Sequence, residues 1–433
     1  MVNLALVGIT DWRNDRQPFG IKDQDRLGHI YCIGKTGTGK STLLMNLAIS
    51  DIEKGNGICI IDPHGDLAEV ALNYVPLLRI DDVIFLNATD LEFPIAFNPL
   101  HSVRSEDFNL VCSSILSTFK KVWSDSWGPR LEHILRFSLL TLLHSPDATL
   151  LDIQPLLTDT YFRNGVLNFV PDPIIRAFWL NEFDKYPPAL KSEAIAPVLN
   201  KAGVFLSSLP LRNMFGQRKN AIQMQDILDN GKILICNLSK GQIGEEASAI
   251  LGSMILSSIQ SAALFRASYE MDKRRPFYLY VDEMHTFVTL SFADILAEAR
   301  KYGLSLFLTH QYIEQVQETI RAAIFGNVGT VISFRIGAED ARYLAREFYP
   351  IFSEDDLVHL PRYSMYLKLM IDGATSKPFS AITLQLKSYS KSYKSEIVEL
   401  SRKKYASERA TVEQQLFEKA RTDKSQSQSL FDI

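Results

Sequence analysis

A chain of 433 residues that is 46% hydrophobic and 22% charged carries enough apolar material for two or three cores, which excludes a disordered chain. Its 46 Lys and Arg against 50 Asp and Glu leave a net charge of −4, which excludes a protein coated in basic surface. Any contact with nucleic acid therefore has to be local, in a groove or channel.

The opening MVNLALVGITDWR has too short an apolar run for a signal peptide, and no later segment offers about 18 uninterrupted apolar residues. The reading is a soluble cytoplasmic chain with no transmembrane segment of its own, unless a partner recruits it to a membrane. Ile30 to Ile33 reads as a strand and Ser41 to Ser50 as a helix, with a glycine-rich turn between them. Gly57 to Asp62 is a strand, Leu67 to Tyr74 a helix and Asp82 to Asn87 a further strand, so residues to about Leu100 follow an α/β grammar. From about Asp107 to Phe215 the pattern turns to long helical periodicity, as in LEHILRFSLLTLLHS, with proline breaks and no clear strand. Strands resume at Lys232 to Leu238, Phe277 to Asp282, Leu304 to Thr309 and Gly329 to Ile336, followed by a hairpin from Ser364 to Leu386 turning at Asp372-Gly373. Ser395 to Ala420 reads as one amphipathic helix, and the final TDKSQSQSLFDI as disordered. The simplest organisation is an α/β nucleotide-binding domain in two parts, residues 1–104 and 226–388, interrupted by an all-alpha insertion domain at 105–225 and followed by a polar helical or disordered tail at 389–433.

The turn after the first of these strands, IGKTGTGKSTLL, fits G-x-x-x-x-G-K-[ST] with Gly34, Gly39, Lys40 and Ser41 in register. On a strand-to-helix turn, backbone N–H groups can wrap a phosphate, and the helix N-terminus adds about half a positive charge facing it. Gly34, Lys35, Thr36, Gly37, Thr38, Gly39, Lys40, Ser41 and Thr42 are the candidate cradle. Lys40 would reach the β and γ phosphates of ATP and Ser41 would ligate Mg²⁺. A second motif, FYLYVDE, ends a buried strand in two carboxylates, at the sheet edge where ligands collect in open α/β folds. Asp282 fits the metal-side carboxylate and Glu283 the base that polarises water. The four cysteines, Cys32, Cys59, Cys112 and Cys236, have no metal spacing and read as small buried hydrophobes in a reducing compartment.

With these residues stands PFGI before the glycine turn, IIDPHGD at Ile60 to Asp66, YVDEMHTF, EARKYGL, LTHQY and SFRIGAEDA. Over about residues 18 to 386 the set resembles the HerA/FtsK superfamily of ring-forming DNA translocases, and within it the type IV secretion coupling proteins of the TraG/TraD-like conjugation type. The resemblance implies a RecA-like P-loop NTPase fold, interfacial ATP hydrolysis in a homo-oligomer, expected to be a hexamer, and sequence-independent channel contacts with DNA. It also implies a secretion-channel, relaxase or nuclease partner, with recruitment to the inner face of a membrane. Arg300 stands where coupling proteins carry an arginine that reaches the neighbouring subunit's nucleotide, with Arg335 as its rival. Gln311 matches the family's polar sensor for the γ phosphate or the water. The members of the family usually begin with transmembrane helices, whereas here the glycine turn arrives by residue 34. Other readings stay open: a HerA-like DNA-processing motor that works with a nuclease, an ATPase that drives protein export or assembly, and a P-loop scaffold that binds nucleotide without turnover, against which the intact pair Asp282 and Glu283 speaks.

Asp62 and His64 end a strand beside the cradle and are expected to border it. His285 is expected to pack on its own loop. The basic runs Lys120-Lys121, Arg218-Lys219 and Lys273-Arg274-Arg275 are too short to assign to DNA and read as solvated faces.

Overall fold

Strands that bury both faces are predominantly apolar, and the middle of this chain's sheet is built from such runs. The computed structural model describes residues 4–11 and 16–428. Its strands are β1 (Leu4–Thr10), β2 (Pro18–Lys22), β3 (Ile30–Ile33), β4 (Gly57–Asp62), β5 (Val83–Asn87), β6 (Ile233–Asn237), β7 (Phe277–Val281), β8 (Leu304–His310), β9 (Thr330–Ser333), β10 (Ser364–Lys368), β11 (Met370–Ile371), β12 (Ala374–Thr375) and β13 (Phe379–Thr383). Eleven of them form one sheet in the order β2-β1-β13-β10-β9-β3-β8-β7-β4-β6-β5, and β11 pairs with β12 at a hairpin tip. The run β9-β3-β8-β7-β4-β6 is parallel, with Ile30 opposite Phe307 and Thr330, and Ile61 opposite Val281 and Cys236. Every residue of β3, β4, β6, β7 and β8 is buried. Beyond β9 the sheet turns antiparallel through β10, β13, β1 and β2.

The chain divides into two compact units: Met1–Leu86, Met224–Gly241 and Ile255–Ser401 form the first, and Asn87–Gln223, Gln242–Met254 and Arg402–Ile433 the second. In the first unit the helix Lys40–Glu53 buries Leu43, Leu44, Leu47, Ala48 and Ile52 against the sheet. Each of the leucines and the isoleucine contributes roughly 1.5–3 kcal/mol. A polar joint crosses the same interface. Arg26 donates through Nη1 and Nη2 to the Asp51 carboxylate at 2.8 and 2.7 Å, and the Tyr280 hydroxyl donates to Asp51 as well. All three are fully or almost fully buried.

In the second unit the helices Phe108–Val122 and Pro188–Ser207 pack through Phe119 against Phe205, and Phe137 of the helix Pro129–Leu143 stacks at 4.3 Å on Phe178 of the helical turn Phe178–Glu182. Buried Trp179 donates its indole N–H to Thr141 Oγ1 at 2.8 Å, and buried Arg163 pairs with Asp184. Helix starts carry their own acceptors: Asp159 takes the N–H groups of Tyr161 and Phe162, and Thr149 with Asp152 makes a capping box. No named strand lies between β5 and β6 among the described residues.

Several expectations change. The N-terminal segment that is too short for a signal peptide supplies β1, and PFGI lies in β2. The strand expected over Gly329 to Ile336 extends only over Thr330–Ser333. The single helix expected over Ser395 to Ala420 is two, Lys394–Tyr405 and Arg409–Gln428. At the break, Ser407 and Arg409 donate their N–H groups to the carbonyls of Pro94 and Glu92, so these amides bond another segment instead of their own helix. The helix also continues to Gln428, through part of the sequence expected to be disordered; residues 429–433 lie outside the described residues. Among the described residues one helix, Glu245–Ser268, is long and apolar enough to cross a membrane, yet 61% of its most apolar stretch is buried inside the protein, as in a core helix.

Candidate nucleotide site

The cradle leaves the carboxyl end of β3. Its bends need glycine: Gly39 has φ 130°, and a Cβ there would lie 2.8 Å from Phe334 Cε1, while one at Gly34 would lie 2.7 Å from Phe334 Cβ. Phe334 thus forms a floor that the loop can approach only without side chains. Lys35, Thr36 and Gly37 at the loop's turn and Ser41 at the first turn of the helix are exposed, whereas Thr38, Gly39 and Lys40 are buried. Thr38 Oγ1 donates to Lys35 O at 2.7 Å. Lys40 Nζ donates to Gly34 O at 2.5 Å and to Lys35 O at 3.3 Å, so its ammonium is held inside the loop. Thr42 follows, half-buried, on the same helix turn.

Asp282 follows β7 directly and Thr309 lies near the end of β8, its parallel neighbour, and Thr309 Oγ1 donates to Asp282 Oδ1 at 2.5 Å. Burial lifts the Asp282 carboxyl above its ordinary range, the Glu283 charge adds to this, and Thr309, Lys40 and His64 oppose it. Glu283 is 5% exposed and has a left-handed backbone, φ 45° and ψ 52°, a conformation that a non-glycine residue holds only when its surroundings impose it. Its Oε1 accepts from Gln311 Nε2 at 2.9 Å; its Oε2 accepts no hydrogen bond and lies 3.4 Å from His285 Nδ1. Gln315 closes the ring, with Oε1 accepting from the N–H groups of Gln311 and Tyr312 and Nε2 lying 3.3 Å from His285 Nε2. His285 is therefore part of this polar ring rather than packed only on its own loop. Asp340 Oδ1 accepts from Ile313 N at 2.8 Å and pins the same turn.

Asp62 is fully buried and accepts from His64 N and Ala68 N at 2.8 and 3.0 Å, so it shapes the turn after β4. Burial raises its carboxyl pKa, with a contribution from the Asp282 charge, which makes it a neighbour of the acidic pair.

The two arginines fall at opposite edges. Arg335 is exposed after β9, and its carbonyl accepts from Lys35 N at 2.8 Å, beside its own cradle. Arg300 is exposed on the turn Ala299–Tyr302 that enters β8, and its charge helps to push down the pKa of His29, which precedes β3. β8 is seven residues long, so Arg300 stands about 20 Å from its own chain's acidic pair. The run Lys273 to Arg275 is not simply solvated. Lys273 pairs with Glu270, but Arg274 donates to the carbonyls of Tyr269 and Lys301, and Arg275 to those of Asn230 and Gly55. All four cysteines are buried.

The residues that sequence reasoning left without a role are Thr309, Gln315 and Asp340. Thr309 and Asp340 sit inside the quoted runs LTHQY and SFRIGAEDA, but only the fold shows which carboxylate or amide each one meets.

A family model, the type IV secretion-system coupling protein DNA-binding domain, matches residues 20–349. The chain is similar to the type 4 coupling protein DotL of Legionella pneumophila, 24% identical over 396 residues, which cover 76% of this chain and 50% of that protein. It spans about half the length of that curated relative. Among solved structures, the conjugative coupling protein TrwBdeltaN70 in its unbound monoclinic form matches with a TM-score of 0.63 at 16% identity, over 86% of this chain and 88% of that one. TrwB in complex with ADP and Mg²⁺ matches at 0.61 and 15%, covering 86% and 89%, and VirB4 of Thermoanaerobacter pseudethanolicus at 0.55 and 14%, covering 89% and 97%. At these identities the likeness is one of fold.

Proposed function

Because this chain belongs to the type IV secretion-system coupling proteins, we propose that it is a Mg²⁺-dependent ATP hydrolase whose copies form a hexameric ring and move DNA. The observation that carries the chemistry is the meeting of two strand ends: Asp282 with Thr309 and Glu283 with Gln311, beside the loop that holds Lys40.

In this reading Gly34 to Thr42 wrap the phosphates, and Lys40 exchanges its two carbonyl partners for phosphate oxygens. Ser41 and Asp282 fit a Mg²⁺ ion: a hydroxyl at the helix start and a buried carboxylate, with the phosphates and water completing a shell that needs few protein ligands. Bound there, the ion would neutralise charge on the β and γ phosphates. Glu283 takes a proton from the attacking water through Oε2, the oxygen that accepts no hydrogen bond, while Gln311 fixes the carboxylate through Oε1. Arg300 acts on the neighbouring subunit's γ phosphate, because its own cradle lies at the other edge of the sheet. Arg335, beside its own cradle, then acts within its own subunit. The motor works at the cytoplasmic face of a membrane, where a secretion channel and a relaxase are the partners that the family resemblance implies.

Steady-state ATP hydrolysis with and without double-stranded and single-stranded DNA, at low and moderate salt, tests this. Stimulation that weakens as salt rises is expected, because counterions compete for phosphate contacts. Hydrolysis unchanged by every DNA favours a motor for protein export or assembly.

A further inference from the structure

We propose that Arg362 and Tyr363 form the nucleoside side of the ATP site. This rests on the nucleotide reading above and deepens it. The acidic pair follows β7, and β8 and β7 lie on one side of β3, so the γ phosphate has to point toward that side. The phosphate chain then runs back toward β9 and β10, and the nucleoside leaves the cradle there. The segment entering β10 is fastened to the cradle at this place. Arg362 Nε donates to Gly37 O at 3.0 Å, and Tyr363 N donates to Thr38 O at 2.8 Å. A Cβ on Gly39 would lie 3.2 Å from Tyr363 Cδ1, which puts the ring against the loop. Tyr363 has φ 68°, and Thr383 N donates to its carbonyl at 2.9 Å, so a left-handed residue is held from two sides. The Arg362 guanidinium lies 4.7 Å from the Tyr363 ring centroid and is exposed. A ring and a planar cation at the mouth of a phosphate cradle suit a purine base and its ribose, by stacking and by hydrogen bonds.

The test compares binding of ATP and of inorganic triphosphate to the 433-residue wild type, Tyr363→Ala, Tyr363→Phe and Arg362→Ala. Tyr363→Ala is expected to lose about tenfold in ATP affinity, with triphosphate affinity within about twofold of wild type. Tyr363→Phe should keep the ATP affinity, and Arg362→Ala should show a smaller but equally selective loss. Equal losses for both ligands would mean that the segment only supports the loop, and no loss would mean that it makes no contact; either overturns the proposal. Should Tyr363→Ala not fold, photolabelling of wild type with 8-azido-ATP decides, since label on the peptide carrying Tyr363 is expected and label confined to other peptides overturns it. Wild type that binds neither ligand would instead count against the nucleotide reading itself.

Discussion

Gln311 Nε2 donates to Glu283 Oε1 at 2.9 Å, tying the residue after one parallel strand to the acidic end of its neighbour. The bond leaves Glu283 one oxygen for water and fixes where that oxygen points. Gln311→Ala should leave ATP affinity within about twofold and lower turnover by roughly tenfold to a hundredfold. Gln311→Glu places two carboxyls side by side, and their repulsion raises the pKa of the pair. The acid limb of its pH-rate profile should move to higher pH, and an unmoved limb would separate Gln311 from the base.

Arg300 enters β8 at the end opposite its own cradle, and the action proposed for it is between subunits. Lys40→Ala and Arg300→Ala should each be inactive alone. An equal mixture should recover about a quarter of the sites by random assortment, because an intact arginine then meets an intact loop. A mixture as inactive as its parts would remove the action in trans.

The buried joint of Arg26, Asp51 and Tyr280 supplies a stability prediction away from the site. Asp51→Asn keeps the shape but leaves the buried guanidinium with only the more distant Asp23 carboxylate, at 3.6 Å, as counter-charge, which costs up to about 3–5 kcal/mol. Urea unfolding should show that loss as a lower midpoint.

Two buried histidines make stability fall in acid. His29 accepts from Leu306 N through Nδ1 and lies 3.2 Å from Leu296 O through Nε2; burial holds its pKa down to about 4, and the Arg300 charge adds to this. Burial also brings His310, beside Tyr31, down to about 3. Unfolded, both take a proton near pH 6.5. Their contribution is therefore complete above about pH 6.5 and is lost as pH falls toward 4 and 3, at roughly 1.4 kcal/mol each by pH 5.5. The raised carboxyls of Asp62 and Asp282 act in the opposite direction. Comparing wild type with His29→Asn cancels them; asparagine accepts the φ of 65° at this position. The drop in melting temperature from pH 7.5 to 5.5 should be smaller in the variant, and equal drops would contradict the assignment.

The strands of the parallel core were legible because burial on both faces leaves mostly apolar runs such as GICIID and LSLFLTH, whose few polar residues, Asp62, Ser305, Thr309 and His310, are buried with them. The cradle was legible because its glycines answer to geometry at fixed spacing, as Gly34 and Gly39 do against Phe334. Of the antiparallel flank, the hairpin of β10 and β13 turning at Asp372-Gly373 was legible, and the strands β1 and β2 beside it were not. β1 and β2 are half exposed, and their pairing through β13 joins residues more than 350 apart, a contact that no local pattern encodes. The break at Ala406 to Glu408 was hidden for the same reason: its backbone partners stand at Glu92 and Pro94. In the site, the residue types could be read from the motifs, but the pairings Thr309 with Asp282 and Gln311 with Glu283 depend on strand order.

The measurement that bears most directly on the central claim is ATP binding and turnover by Glu283→Gln beside wild type, in Mg²⁺. The account predicts ATP affinity within about twofold of wild type and turnover lower by roughly 10²- to 10⁴-fold, because the amide keeps the shape and cannot take the proton. Turnover at the wild-type rate would contradict it.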